Sequence, residues 1–260
     1  MSNRTLKFAG HVLALALNLM PTVRAELPDE IQVYDDSINA PGEKGLELHI
    51  NRTAKGRSIP AYSGELPPNR GTRLTPELSY GLSEQWEAGL YLPAVRDPDG
   101  RWSGAGFKAR LKWMGQRSAS AQPWFFGANI ELAWIPPRFD ESRWGAELRP
   151  IWGYRSADWL FVTNPILHYS LSPGQRKGGV DFTPAFKVSR KLSPGLDIGL
   201  ESYSDLGKLS AITGRPSHTL FWVVDVDRGP WVFNAGIGRG LTADADRWTV
   251  KAIFELPLSF

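Results

Sequence analysis

Beyond residue 44, apolar residues return at every second position. The last stretch, WTVKAIFELPLSF, shows the pattern plainly. Trp248, Val250, Ala252, Phe254, Leu256, Leu258 and Phe260 share one parity, and Thr249, Lys251, Ile253, Glu255, Pro257 and Ser259 the other. A period of two places alternate side chains on opposite faces of a strand. Twelve such segments can be counted: GLELHIN, RLTPELSYGL, QWEAGLYL, GFKARLKWM, PWFFGANIELAWI, RWGAELRPIWGY, ADWLFVTNPILHY, VDFTPAFKVSR, GLDIGLESYS, SHTLFWVVDVD, PWVFNAGIGR and the terminal one. The seventh is the least regular, because Leu160, Val162 and Ile166 fall on its nominally polar face.

The connections mostly alternate in length, with GQRSASAQ an intermediate exception and PPRFDES moderate. LSE, SAD, KLSPG and DRG are tight, whereas the linker after the first segment, PAVRDPDGRWSG, SLSPGQRKGG and DLGKLSAITGRP are long. Short turns at one end and long loops at the other, with an even strand count, are the habit of outer-membrane barrels. Tryptophans follow the same division. Trp86, Trp124, Trp159 and Trp231 begin segments and Trp113 ends one, all at the short-turn rim, while Trp134, Trp144 and Trp248 mark the opposite rim. Aromatic girdles at both edges of an apolar band point to a bilayer. Trp222, in mid-segment, departs from this. The expected fold is therefore all-β: one antiparallel transmembrane β-barrel of about twelve strands, with both termini periplasmic.

The start of the chain is of another kind. Arg4 and Lys7 precede a short apolar run, and Val23 and Ala25 offer small residues for cleavage. Residues 1–25 are expected to be a signal peptide, and residues 26–43 an acidic periplasmic leader with six carboxylates, followed by the barrel over 44–260. Cleavage near Ala25 takes 30 basic residues to 27, against 27 acidic ones. The basic balance of the precursor is thus no argument for a nucleic-acid partner. With no cysteine, disulfides, thiolate metal sites and cysteine nucleophiles are excluded. No apolar run after residue 25 reaches the ~18 residues of a membrane-spanning helix.

The end of the terminal segment, with Phe254, Leu256, Leu258 and the final Phe260, resembles the C-terminal assembly signal of Gram-negative outer-membrane barrels. It implies the barrel-assembly machinery, outer-membrane lipid and lipopolysaccharide as partners. A wider likeness spans most of the mature chain. EIQVYDDSINAPGEKGLELHIN, TPELSYGLSEQWEAGLYLP, ELRPIWGYR and GIGRGLTADADRWTVKAIFELPL resemble a family of proteobacterial outer-membrane barrels. That family is similar in turn to the channels associated with meta-pathway phenol degradation. The resemblance implies a channel or transporter for a small solute and supplies no catalytic residue.

The polar face carries the candidate chemistry. Glu47, Glu77, Glu87, Glu131, Glu147, Asp181, Asp197, Glu201, Asp225 and Glu255 oppose Lys108, Arg110, Lys112, Arg149, Lys187 and Lys251, with His49 among them. Two interpretations stand: a charged constriction that filters solutes, or structural ion pairs that fill the lumen. Neither needs a cofactor, and spacing names no metal ligand set. A sealed structural or adhesive barrel and a lipid-acting enzyme are the alternatives. For the enzyme, His49 and His168 lack a recognisable serine partner, and His218 is expected at a solvated loop end. GIGRG, 236–240, lies in a strand, where glycine relieves crowding rather than cradling phosphate. Asp97, Asp99, Asp244 and Asp246 could take calcium at the rim, without the twelve-residue loop pattern. They are expected to be solvated loop acids. Asn51-Arg52-Thr53 matches a glycosylation acceptor in form only.

Overall fold

The computed structural model describes residues 30–173, 178–212, 216–228 and 231–257, without the side chains of Trp231 and Pro257. The expected signal peptide, the first four leader residues, Leu258 and Phe260 lie outside these ranges. Among the described residues there is no α-helix. The strands are β1 (Lys44–Lys55), β2 (Thr72–Ser83), β3 (Trp86–Tyr91), β4 (Ala94–Arg96), β5 (Trp102–Gly104), β6 (Phe107–Gln116), β7 (Trp124–Trp134) and β8 (Trp144–Arg155). They continue as β9 (Trp159–Asn164), β10 (Leu167–Ser170), β11 (Val180–Phe182), β12 (Ala185–Ser193), β13 (Leu196–Asp205), β14 (Ser217–Arg228), β15 (Trp231–Gly240) and β16 (Trp248–Pro257).

These sixteen strands make twelve staves. β3 and β4 both pair with β2, and β9 and β10 both pair with β8, so each couple is one stave with a break. β5–β6 and β11–β12 are their broken neighbours. The breaks fall at Pro93, Pro165 and Pro184 and at Ala105-Gly106. Proline has no N–H to give to a ladder, so a strand stops pairing there. The expected loop PAVRDPDGRWSG proves to be partly sheet, since its ends form the β4–β5 hairpin. β1 pairs with β2 on one side and with β16 on the other, Leu46 facing Leu256 and Arg52 facing Val250. The sheet therefore closes as an antiparallel barrel.

Burial is inverted relative to a water-soluble barrel. Along β6, Phe107, Ala109 and Leu111 are exposed, while Lys108, Arg110 and Lys112 between them are buried. On β7, Ile130 is 57% exposed and its neighbour Glu131 3%. An apolar outer face over a charged inner one is the arrangement of a barrel set in lipid. Aromatic rings pack against one another near both rims. Trp86 meets Trp113 and Trp124 stacks on Trp152 at the short-turn rim, and Phe107 meets Trp134 and Trp144 at the other. Trp222 lies on the outer face at mid-height, 52% exposed.

Two glycines show why the staves can run as they do. Gly195 adopts φ 68° in the β12–β13 turn, where a Cβ would collide with the Asp227 carbonyl. Gly238, within GIGRG, leaves room for the Phe221 ring, whose atoms lie 2.4–2.6 Å from where a Cβ would stand. That matches the crowding role expected for this motif.

If the outer face is lipid-facing, Leu200→Arg at mid-height of β13 should cost about 2–4 kcal/mol of stability. Leu209→Arg, in a loop and 49% exposed, should change stability by less than about 0.5 kcal/mol. Urea unfolding of both variants in lipid vesicles measures the difference.

Candidate functional site: the lumen and its plug

The inner face is crowded. His49, Glu77, Glu87, Lys108, Arg110, Lys112, Glu131, Arg149, Glu201 and Lys251 are all buried on it, and Glu47, Glu147, Lys187 and Asp225 are half-buried. A wide aqueous pore leaves its lining open to water, so this lumen is largely filled. Of the remaining acids, Asp197 is half-buried near the β12–β13 turn and Glu255 is exposed. Asp181 belongs to β11 and meets Lys208 at 2.6 Å.

The charges form three groups. Arg110 spans β2 and β3, with Nε donating to Glu77 at 2.6 Å and Nη2 to Glu87 at 2.7 Å. Glu77 also meets His49 Nε2 at 3.1 Å, and Glu47 lies 3.5 Å from the same nitrogen. In the second group, Lys108 pairs with Glu131 at 2.9 Å and Arg149 with Glu147 at 2.9 Å. In the third, Lys187 bridges Asp225 at 2.8 Å and Glu201 at 3.3 Å, and Lys251 closes on Glu201. Tyr203 donates to Glu201 at 2.6 Å and Asn234 to Asp225 at 2.7 Å. The ladder Lys108–Arg110–Lys112 is thus divided between partners rather than presented as one basic stripe.

Residues 30–43 run through the middle of these groups without regular secondary structure. Glu30 lies 3.5 Å from Lys108 and 3.4 Å from Arg149. Lys251 donates to the Ile31 carbonyl at 2.9 Å, Gln32 to Glu47 at 3.4 Å, and Lys112 to the Ser37 carbonyl at 2.6 Å. The Asn39 amide donates to Glu87 at 2.7 Å. One segment can touch β1, β3, β6, β8 and β16 only from inside the barrel. It descends towards the short-turn end. There Asp36 accepts from the Ser118 amide at 2.9 Å and, with Asp35, holds Arg155 at 2.7 and 2.8 Å.

Tyr34 is the centre of the plug. Asn164 receives its amide at 2.7 Å and returns a hydrogen bond to its carbonyl at 3.0 Å. Its hydroxyl meets that of Tyr91. Its ring receives Arg149 at 4.3 Å, Lys112 at 5.0 Å and Arg110 at 5.7 Å, distances at which cations are drawn to an aromatic face. Tyr34 and Val33 also pack on an apolar patch of Met114, Phe125, Ile151, Leu160, Val162 and Ile166. This explains the irregular seventh segment. Leu160 and Val162 do face inward, and that wall is apolar because the leader covers it. Parity puts Tyr91 and Asn129 on the inner face, where both are fully buried, but sequence reasoning missed Tyr34, Asn164 and Tyr203. The asparagine before Pro165 was the one visible signal, since it marks the break between β9 and β10.

The other candidates are placed as follows. Asp97 accepts from the Arg101 amide at 2.8 Å, a bond that holds its carboxyl below the usual range. Burial pushes the Asp246 carboxyl up, while it accepts from the Arg57 amide at 3.1 Å and Thr53 at 3.2 Å. Asp97 thus closes its own loop, and Asp246 ties the β15–β16 loop to the end of β1 and the linker after it. Asn51 is fully buried in β1. His168 lies 4.0 Å from Asp181. His218 is half-buried rather than free at a loop end, and its Nδ1 lies 2.7 Å from Ser204 Oγ. Although spacing names no metal set, the fold brings Glu47, His49 and Glu77 to one point.

No protein-family model matches the chain, and no curated protein matches it in sequence. Likeness to the phenol-degradation channels therefore rests on the sequence segments alone. Among solved structures, the chain is similar to the COG4313 outer membrane channel from Pseudomonas putida F1. That match has a TM-score of 0.59 at 12% identity, over 88% of this chain and 100% of that one. A bacterial polysaccharide outer membrane secretin matches at 0.43 and 10% identity, over 85% of this chain and 100% of its own. LpxR from Salmonella typhimurium matches at 0.43 and 9%, over 82% and 100%. The first of these supports the closed barrel fold.

Removing one member of a buried ion group leaves its partner uncompensated. Glu201→Ala, which takes the carboxylate from Lys251 and leaves Lys187 with Asp225 alone, should destabilise the barrel by about 3–5 kcal/mol. Lys208→Ala, at the half-exposed pair with Asp181, should cost below about 1 kcal/mol. Urea unfolding in vesicles checks both.

Proposed function

We propose that this barrel is an outer-membrane channel for a small solute, closed in this structure by its own N-terminal leader. The observation that carries the reading is the attachment of residues 30–43. They are held by hydrogen bonds and ion pairs to the wall, and by apolar contacts of Ile31 with Phe221 and Val223 and of Val33, Tyr34 and Ile38 with the patch around Phe125. Such a segment can exchange its polar contacts for water and leave. A hydrophobic core cannot do so at comparable cost.

In this reading the mature chain starts near Glu26 after export. The short turns and both termini face the periplasm, and the apolar band sits in lipid and lipopolysaccharide. The terminal strand, through Phe254, Leu256, Leu258 and Phe260, addresses the assembly machinery. With the leader withdrawn, Glu47, Glu77, Glu87, Glu131, Glu147, Glu201 and Asp225 still face Lys108, Arg110, Lys112, Arg149, Lys187 and Lys251. The path is narrow and mixed in charge, which suits a small polar or weakly polar molecule better than a simple anion or cation filter. The resemblance to channels of phenol degradation makes a phenol the first solute to assay.

One observation favours a second reading, a lipid-acting enzyme. Ser204 and His218 face outward near the long-loop rim, in contact at 2.7 Å. A serine beside an imidazole is the start of a nucleophilic site. The pair engages Nδ1, however, and Nε2 has no hydrogen-bond partner among the described residues to orient the ring. The enzyme reading thus moves from His49 and His168 to this pair. The channel reading expects Ser204→Ala and His218→Ala to leave lipid acyl composition unchanged. Loss of a lipid product in either variant would transfer the function to the enzyme.

For the channel itself, single-channel recording compares the mature protein with one lacking residues 26–40. Deletion should give larger or more frequent open steps. It also removes Glu30, Asp35 and Asp36 from Lys108, Arg149 and Arg155, so the reversal potential in a salt gradient should move towards anions. Unchanged conductance and selectivity would mean that the leader does not close the path.

A further inference from the structure

The group formed by Glu47, His49 and Glu77 has the geometry of a ligand set. Glu47 and His49 are two apart on β1 and share its inner face, and Glu77 stands directly across from Glu47 on β2. The three donor atoms, His49 Nε2 and one oxygen of each carboxylate, all lie within 4.8 Å of one another. Two of the separations are 3.1 and 3.5 Å. A tetrahedral ion with bonds of ~2.0–2.1 Å holds its ligand atoms ~3.3 Å apart, so these two edges already fit.

Three further observations point to a cation there. Glu77 shares Arg110 with Glu87, and among the described residues His49 is the one cationic partner of Glu47 within ion-pair distance. Two carboxylates thus converge on one imidazole. The His49 side chain is fully buried, and its Nδ1 has no hydrogen-bond partner. Thr75, its cross-strand neighbour on the same face, is also fully buried with an unpartnered hydroxyl. An ion on Nε2 fixes the tautomer that carries its proton on Nδ1. The threonine hydroxyl is then the neighbouring group suited to accept that proton, as second-layer partners of metal-bound histidines do. Finally, the Gln32 side-chain amide of the leader lies 3.4 Å from the cluster's Glu47 oxygen. Turning that amide over presents its oxygen to the same point.

We propose that Glu47, His49 and Glu77 bind one divalent transition-metal ion of the zinc class. Gln32 supplies a fourth ligand from the leader, so that the ion pins the plug to the barrel wall. Carboxylate and imidazole donors in a four-ligand set suit zinc. The binding half of the proposal stands without the channel reading, whereas the pinning half rests on it.

The experiment uses untagged mature protein folded in detergent and stripped with EDTA. Zinc is titrated by calorimetry, and single-channel records are taken with zinc and with EDTA. One ion per barrel is expected. His49→Ala and Glu47→Gln should each weaken binding by at least the ~10–100-fold that loss of a second-layer partner costs. Gln32→Ala should weaken it less, and chelation should raise open probability. Absence of binding overturns the proposal, as does binding that neither His49→Ala nor Glu47→Gln alters. Where a variant fails to show heat-modifiable migration, cobalt substitution in the unmutated protein decides. An intense visible spectrum of tetrahedral type is expected, and a weak octahedral one counts against the site. Zinc binding without any effect of EDTA on conductance removes the pinning role alone. Deletion of residues 26–40 tests the plug separately.

Discussion

Hydrocarbon offers no partner to a peptide N–H or C=O, and that absence governs this molecule. Each unpaired group in the bilayer core costs several kcal/mol, so a sheet that crosses must close on itself. Here the closure is the pairing of β1 with β16, from Gly45–Pro257 to Lys55–Trp248. Once the seam is made, every stave has a neighbour on both sides. Side-chain parity then sorts the chain, one face to lipid and one to an enclosed space. The breaks at prolines 93, 165 and 184 fall where broken staves continue towards the long loops.

The enclosed space sets the second problem. Its walls carry charges of both signs, which must be hydrated or neutralised. Mutual pairing does much of this, through Arg110 with Glu77 and Glu87 and through Lys251 with Glu201. The leader completes it with backbone carbonyls, with Glu30 and with the face of Tyr34. Because the leader also covers the apolar wall of Leu160 and Val162, the filled lumen resembles a protein core built mostly from polar residues. Such an interior depends on satisfied partners more than on apolar area.

Much of this architecture was legible in the sequence, because lipid imposes a period of two that nothing local overrides. The staves, the girdle residues Trp86, Trp124 and Trp144, and the inward set from Glu47 to Lys251 follow from parity. The pairing of acids with bases does not, since it depends on register across several staves. Residues 30–43 have no periodicity, and their partners lie up to 220 residues away, as with Ile31 and Lys251. Position and charge suggest that this acidic segment enters the mouth of the barrel, but which wall residues it meets was therefore hidden. So was the Glu47–His49–Glu77 cluster, which needs the β1–β2 register to exist. The seventh segment looked irregular because its inward face answers to Val33 and Tyr34 rather than to water.

The leader is joined directly to β1, and β1 forms half of the seam. The contacts that complete the cylinder are also among the most distant in the chain, and such contacts are slow to form. Residues 30–43 are present, tethered at one end, throughout that time. The wall is therefore free to assemble around the segment instead of having to admit it afterwards through a finished mouth. On that route the leader acts as a former as well as a stopper. Its Tyr34 ring and Glu30 stand among Lys108, Arg110, Lys112 and Arg149, so on the proposed channel reading the segment that stops the bore would also have shaped it.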